Sequence, residues 1–160
     1  MNLSEQIYNA FKFNVMPDSV VCDVNTEPSD MYDAISFKGV AWQDITLENW
    51  INHSSALFSF TSDAFKYYMP SLLIRSLECN FMRISAANTF LEMLDTSGIY
   101  DYFDEFLIDR FMGLKSIQYS VISDWAKLFI RTTKEYDELT EERVAYTLLI
   151  FQEKMEGNIQ

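Results

Sequence analysis

The sequence predicts an all-α protein: a single-domain irregular helical bundle, with three longer C-terminal helices as a frame and shorter N-terminal helices around them. Three observations carry that reading. Four glycines and three prolines in 160 residues leave a sheet protein short of turns and suit a helical one. Apolar side chains recur at spacings of three, four and seven, with Ser, Thr or Asn near several run starts, the mark of capped amphipathic helices. The 13 Phe, 9 Tyr and 3 Trp supply the aromatic mass of a folded core.

Ser4 ahead of Glu5-Gln6-Ile7-Tyr8 reads as the cap of a first helix that runs to about Phe13, with Ile7, Tyr8 and Phe11 on its apolar side. Pro17-Asp18-Ser19 breaks it, and Val20-Val21-Cys22 suggests a short extended piece. Thr26-Glu27-Pro28-Ser29 starts a second helix, its proline in the first turn where the missing N–H is harmless. That helix carries Met31, Ala34 and Ile35 inward and stops near Gly39. Trp42-Gln43-Asp44-Ile45 follows, then a short helix from Thr46 to Trp50 with Thr46 and Asn49 in a weak capping arrangement.

Thr61 or Ser62 caps a short helix that Pro70 should end, because the residue before a proline is driven out of helical geometry. A long helix is expected from Ser71 to Ser97-Gly98, with Leu73, Leu77, Phe81, Ile84, Leu91 and Leu94 on one stripe. Ala86-Ala87-Asn88 marks a close crossing or a local break within it. Asp101 to Phe111 reads as a short helix with Phe103, Phe106 and Leu107 inward. Ser116 starts the next, with Ile117, Val121, Trp125, Leu128 and Phe129 on its face. Thr140 caps the last, whose face is Val144, Leu148, Phe151 and Met155. No linker and no solenoid repeat divides residues 1–160, so one domain is expected, with residues 157–160 as a frayed tail.

Charge constrains function. The 24 Asp and Glu against 12 Lys and Arg give a net charge of −12, which argues against direct nucleic-acid binding, since phosphate recognition needs a cationic surface. The start of the chain has neither a basic region nor an apolar core of the signal-peptide kind, and the longest apolar stretches, such as Ser71 to Leu77, fall far short of the ~20 residues of a membrane span. Cytoplasmic residence without a membrane role is the expectation. Cys22 and Cys79, 57 residues apart and outside any C-x-x-C, read as reduced, buried thiols.

One histidine and two distant cysteines make no compact metal site, and no phosphate-binding, dinucleotide-binding, zinc-protease or nucleophile-elbow motif occurs. No cofactor, no metal and no enzymatic activity are expected. His53, between Trp50 and Phe58, reads as an ordinary surface or half-buried residue, ahead of a hydrogen-bonded structural role and a catalytic one. The acidic run from Glu92 to Asp109 is more informative. Glu92, Asp95, Asp101, Asp104, Glu105 and Asp109 follow one another with no Lys or Arg between them. On a helix, Asp101, Asp104, Glu105 and Asp109 share the outward side at spacings of three and four. Such a cluster is a solvated surface or a face that attracts a cationic partner; catalysis and metal binding lack the convergent geometry they require. A second acidic stretch, Asp18 to Asp33, is partly accounted for by a helix start. The aromatic block around Phe58 to Pro70 is read as core, with a recognition surface of Trp42, Tyr67 and Tyr68 as the alternative.

Phe65-Lys66-Tyr67-Tyr68-Met69-Pro70-Ser71-Leu72-Leu73 resembles the F-x-Y-Y-x-P-x-[FL]-L signature of a small, acidic bacterial family of unknown function. Trp42-Gln43-Asp44-Ile45 is similar to the W-x-[DE]-[IL] element that precedes it there, and Leu114 with Gln118 to its closing L-x-x-x-Q helix. These pieces cover about half the chain, which departs from the family in having little sequence between its first helix and Trp42. The resemblance implies no catalytic residues; it implies a comparison with immunity proteins of bacterial toxin systems, with Trp42, Asp44, Phe65, Tyr68 and Pro70 as structural positions.

Together these observations point to an acidic, non-enzymatic binding protein that neutralises a basic protein such as a toxin or nuclease. Asp101, Asp104, Glu105, Asp109, Trp42 and Tyr67 are its candidate partner-binding residues. The alternative is a soluble structural protein that self-associates as a homo-oligomer through its aromatic surface.

Overall fold

In the computed structural model the described residues, 1–21 and 28–157, form an all-α irregular helical bundle; among them the only extended pairing is an isolated antiparallel bridge between Val21 and Phe60. The bridge matches the extended piece expected at Val20-Val21; Cys22 and the expected helix start at Thr26 lie outside the described residues, as do residues 158–160 of the expected tail. The helices are α1 (Leu3–Phe11), α2 (Pro28–Ile35), α3 (Leu47–Asn52), α4 (Ala56–Ser59), α5 (Ser62–Glu78), α6 (Ser85–Leu94), α7 (Glu105–Phe111), α8 (Ser116–Thr133) and α9 (Glu138–Met155), with 3-10 turns at Trp42–Asp44 and Tyr100–Tyr102. Their contacts cluster into two compact units, Phe11–Asn88 and Met1–Ala10 with Thr89–Gln160.

Several caps differ from those expected. α1 is capped by Asn2: the Asn2 side chain accepts from the Glu5 N–H at 2.9 Å while Glu5 accepts from the Asn2 N–H at 3.0 Å. The helix ends at Phe11, with Ile7 and Phe11 buried and Tyr8 exposed. In α2 it is Ala34 that is buried, while Ile35 is exposed. The Thr46–Asn49 box of α3 forms as expected, at 2.8 and 3.2 Å. α9 starts earlier than expected because Asp137, not Thr140, accepts the orphan N–H, that of Thr140 itself, at 2.9 Å.

The largest correction concerns α5. The helix runs straight through Pro70 to Glu78. Proline has no N–H for the carbonyl four residues back, that of Lys66; Asn14 Nδ2 donates to this oxygen instead, at 3.2 Å. The break comes after Glu78. There the Phe81 N–H bonds Ser76 O at 2.7 Å and the Asn80 N–H bonds Leu77 O at 3.1 Å. Asn80 is left-handed at φ 52°. This is a Schellman termination with Asn in the glycine position. The expected long helix is therefore two elements, and its stripe is divided between α5 (Leu73), the turn (Phe81, Ile84) and α6 (Leu91, Leu94), with Leu77 half-buried.

In the 11–88 unit the core is built on Phe37, whose ring lies 4.8 Å from Trp50, 5.2 Å from Phe60 and 5.3 Å from Tyr68, centroid to centroid. The polar tips of this aromatic cluster are bonded. Trp50 Nε1 donates to Ser71 Oγ at 2.9 Å, and the Tyr68 hydroxyl donates to Phe37 O at 2.6 Å. The 3-10 turn at Trp42 is held against α5 by Arg75, which donates to Ile45 O and Gln43 O at 2.8 and 3.1 Å.

In the other unit α8 packs along α9. Val121, Trp125 and Phe129 of α8 and Val144, Leu148 and Phe151 of α9 are buried, while Ile117, Leu128 and Met155, expected inward, are exposed. A row of ring contacts runs Trp125–Phe90–Phe111–Phe151–Phe103 at 5.4–6.2 Å. Gln118, buried, spends both ends of its amide: Oε1 accepts the Lys115 N–H at 2.9 Å and Nε2 donates to Ala10 O at 3.0 Å.

Candidate functional site

The acidic run divides by its contacts. Asp95 is paired with Arg143, whose Nη2 is 3.1 Å from Oδ2, and Glu92 accepts the Tyr136 hydroxyl at 3.0 Å. Asp101, Asp104, Glu105 and Asp109 are exposed, and among the described residues no ion pair engages Asp101, Asp104 or Glu105. The segment is not the continuous helix expected from Asp101. Asp101 sits in the 3-10 turn at Tyr100–Tyr102, Phe103 is extended, and Asp104 caps α7, its Oδ1 accepting the Leu107 N–H at 2.8 Å. Part of the clustering thus has a local cause: Asp104 satisfies an orphan donor, and Glu105 stands at the positive end of the helix.

Phe103 and Leu107 are buried as expected. Phe106 is only half-buried, its ring covered by the guanidinium of Arg110 at 3.6 Å. Residues 93–107 enclose an open hollow of about 350 Å³, walled by Met93, Tyr102 and Phe106 and edged by Thr96, Ser97 and Asp104. Tyr102 is 75% exposed and neighbouring Ile99 51%. The loop that forms one side is fixed by α9: Asp95 by Arg143, Thr96 Oγ1 by Thr147 Oγ1 at 2.7 Å, and Gly98 by Tyr146, whose ring would lie 3.0 Å from any added Cβ. Gly98 also has φ +75°, so glycine is required there twice over. The result is a hollow with aromatic lining and one carboxylate, Asp104, on a braced backbone, with Asp101, Glu105 and Asp109 exposed on the same segment. Sequence reasoning placed the carboxylates but missed Tyr102, Met93 and Ile99; the available signal was Tyr100-Asp101-Tyr102, aromatics interleaved with the acids.

Trp42 and Tyr67 do not belong to this surface. Trp42 is 1% exposed and Tyr67 5%, and the Tyr67 hydroxyl accepts the Trp42 N–H at 3.4 Å. Both are core residues, corrected from partner-binding candidates: Tyr67 lies on α5, nearly every face of which is covered between Ala64 and Leu73, and Trp42 lies in the 3-10 turn that Arg75 holds against that helix. Tyr68, the third member of that alternative surface, is fully buried.

His53 is half-buried and hydrogen-bonded. Its Nδ1 lies 2.9 Å from Asp33 Oδ1, and Ser55 Oγ donates to the other oxygen of the same carboxylate. Burial alone would raise the Asp33 carboxyl, but the bonds from Ser55 and His53 and the charge of His53 outweigh it and hold the group below its ordinary value. The arrangement ties α2 to the α3–α4 connection. Cys79 is a free, half-buried thiol that burial pushes up, away from the reactive thiolate.

Among the described residues no group of three or more His, Cys, Asp or Glu could hold a metal ion, and no helix is long and apolar enough to cross a membrane. No protein-family model, no curated protein and no solved structure matches the chain. The resemblance of the F-x-Y-Y-x-P block thus rests on those residues themselves, and the functional argument on the site.

Proposed function

We propose that this protein is a non-enzymatic, cytoplasmic binding protein that neutralises a basic protein partner by covering its cationic surface, in the manner of an immunity protein acting on a bacterial toxin or nuclease. The observation that supports the reading is the exposure of Asp101, Asp104, Glu105 and Asp109 on one short segment, in a chain of net charge −12. A nuclease needs a cationic groove for phosphate, and a surface of opposite sign both speeds the encounter and competes for that groove. Like charges this close repel, so the cluster is retained against a small local penalty of a few tenths of a kcal/mol per exposed pair.

The test is capture of a basic partner from the native host, followed by association kinetics against salt for the wild type and for a combined Asp101→Asn, Asp104→Asn, Glu105→Gln variant. Asparagine caps a helix as well as aspartate, so α7 is preserved and charge alone changes. Affinity should fall as salt rises, and the variant should associate about tenfold more slowly at low salt. Failure to recover a basic partner, or binding indifferent to both salt and the three substitutions, would refute the proposal.

A further inference from the structure

We infer that the hollow beside α7 takes the guanidinium of an arginine presented by the basic partner; this rests on the binding reading above and names the chemistry of its contact. Met93, Tyr102 and Phe106 give the hollow an apolar and aromatic lining, and Asp104 adds one carboxylate to it. That combination suits a guanidinium better than an ammonium. A guanidinium is weakly hydrated and planar, lies flat on an aromatic face and forks onto a carboxylate at its edge. An ammonium is compact and strongly hydrated; it gains from the carboxylates but little from the walls.

The same segment already holds such a contact internally: the Arg110 guanidinium lies 3.6 Å from the centroid of Phe106. Arg110 already covers the Phe106 ring, so Tyr102, 75% exposed and part of the lining, is the aromatic surface that an incoming guanidinium meets. Asp104 commits Oδ1 to the Leu107 N–H, which orients the carboxylate and leaves Oδ2 to an incoming donor. The Thr96–Thr147 and Asp95–Arg143 contacts hold the loop in place beforehand, so little ordering is required on binding. Charge selects the occupant: Asp104 lines the hollow, and Asp101, Glu105 and Asp109 on the same segment are exposed.

The experiment titrates hexa-arginine and hexa-lysine peptides, equal in charge, into the isotope-labelled full chain at low salt, followed by NMR. Both should shift residues 101–109. Hexa-arginine should bind about three- to fivefold tighter, the size of one exposed cation–π contact, and show contacts from its side chains to the Tyr102 ring. Tyr102→Leu, at a largely exposed position, should abolish the preference while leaving the lysine affinity unchanged; thermal melting checks its fold, and the ring contacts in the wild type need no variant. Equal affinities, a preference that survives Tyr102→Leu, or arginine contacts elsewhere on the chain would overturn the arginine assignment and leave the acidic-surface reading standing. If neither peptide shifts residues 101–109, the binding reading falls, and the assignment with it.

Discussion

Pro70 sits in the middle of α5, where an interior proline ordinarily destabilises a helix by about 3 kcal/mol. The helix survives because Asn14 Nδ2 donates to Lys66 O, the carbonyl that residue 70 cannot reach. Replacing Asn14 with alanine removes that donor. A net hydrogen bond is worth about 1 kcal/mol, rising to about 1–3 kcal/mol when the abandoned acceptor is kept from water. The bond is partly buried, so the expected loss for Asn14→Ala is about 1–2 kcal/mol, or roughly 3–6 °C in Tm for a chain of this size. Pro70→Ala alone has two opposed effects. It restores an N–H, but it removes ring atoms from a buried position, so its net change should be small. The diagnostic quantity is the coupling. With an N–H returned at position 70, Lys66 O has its helical donor, and Asn14→Ala should then cost about 1 kcal/mol less than in the wild type. Any other contact of Asn14 is present in both backgrounds and cancels in the cycle. Urea unfolding of the four proteins at constant m-value measures it. An Asn14→Ala loss that is the same with proline or alanine at position 70 would show that Asn14 does not substitute for the missing N–H.

Tyr68→Phe should destabilise by about 1–3 kcal/mol at neutral pH, because Phe37 O and Val40 O lose a buried donor. Burial and the neighbouring Tyr67 push the Tyr68 hydroxyl up to about 12. The folded state therefore keeps its proton where the unfolded chain loses it: this contribution is whole below about pH 10 and disappears as pH rises towards 12. Burial raises Tyr119 to about 12 as well, in both proteins, so the wild type should lose about 3 kcal/mol more than the variant, as urea midpoints against pH will report. Asp104→Ala should cost about 1 kcal/mol through the lost cap and Asp104→Asn almost nothing, read from thermal melts of the pair. Phe111→Ala, at a fully buried position, should cost about 3–5 kcal/mol, and half-buried Phe106→Ala distinctly less, with chemical denaturation ranking them. Asp33→Asn should weaken the wild type's stability near neutral pH but matter progressively less in acid. The lowered carboxyl contributes above the unfolded value of about 3.9 and is lost as pH falls below it, so acid unfolding of the two proteins should converge.

The cases where sequence and structure part company share a cause. Pro70 is a strong local stop signal, and it was overridden by a side chain 56 positions earlier, which no local pattern discloses. The true end of α5 did carry a signal, Asn80, but Asn is a weaker marker of the left-handed cap than glycine, and a proline ten residues earlier outweighed it. Asp137 was passed over as a cap for Thr140, since both stand ahead of the same apolar run and only the backbone shows which is reached first. For the site, period 3.6 placed Phe103 and Leu107 inside and Asp101, Asp104, Glu105 and Asp109 outside. Trp42 and Tyr67, candidates for a recognition surface on aromatic character alone, are buried, because an aromatic's exposure depends on what packs over it.

By itself the sequence determined the helical class, the acidic balance and the exposed carboxylates, since each follows from composition or from the alternation of charged and apolar residues along a short segment. Tertiary structure alone decided that α5 passes its proline, that Trp42 and Tyr67 are interior and no part of a binding surface, that His53 is tied to Asp33, and that Met93, Tyr102 and Phe106 line a hollow. The reason is one of range. Spacing and charge are properties of neighbours in the chain, whereas a rescued carbonyl, a buried ring and a concave surface are made by groups the chain brings together only on folding.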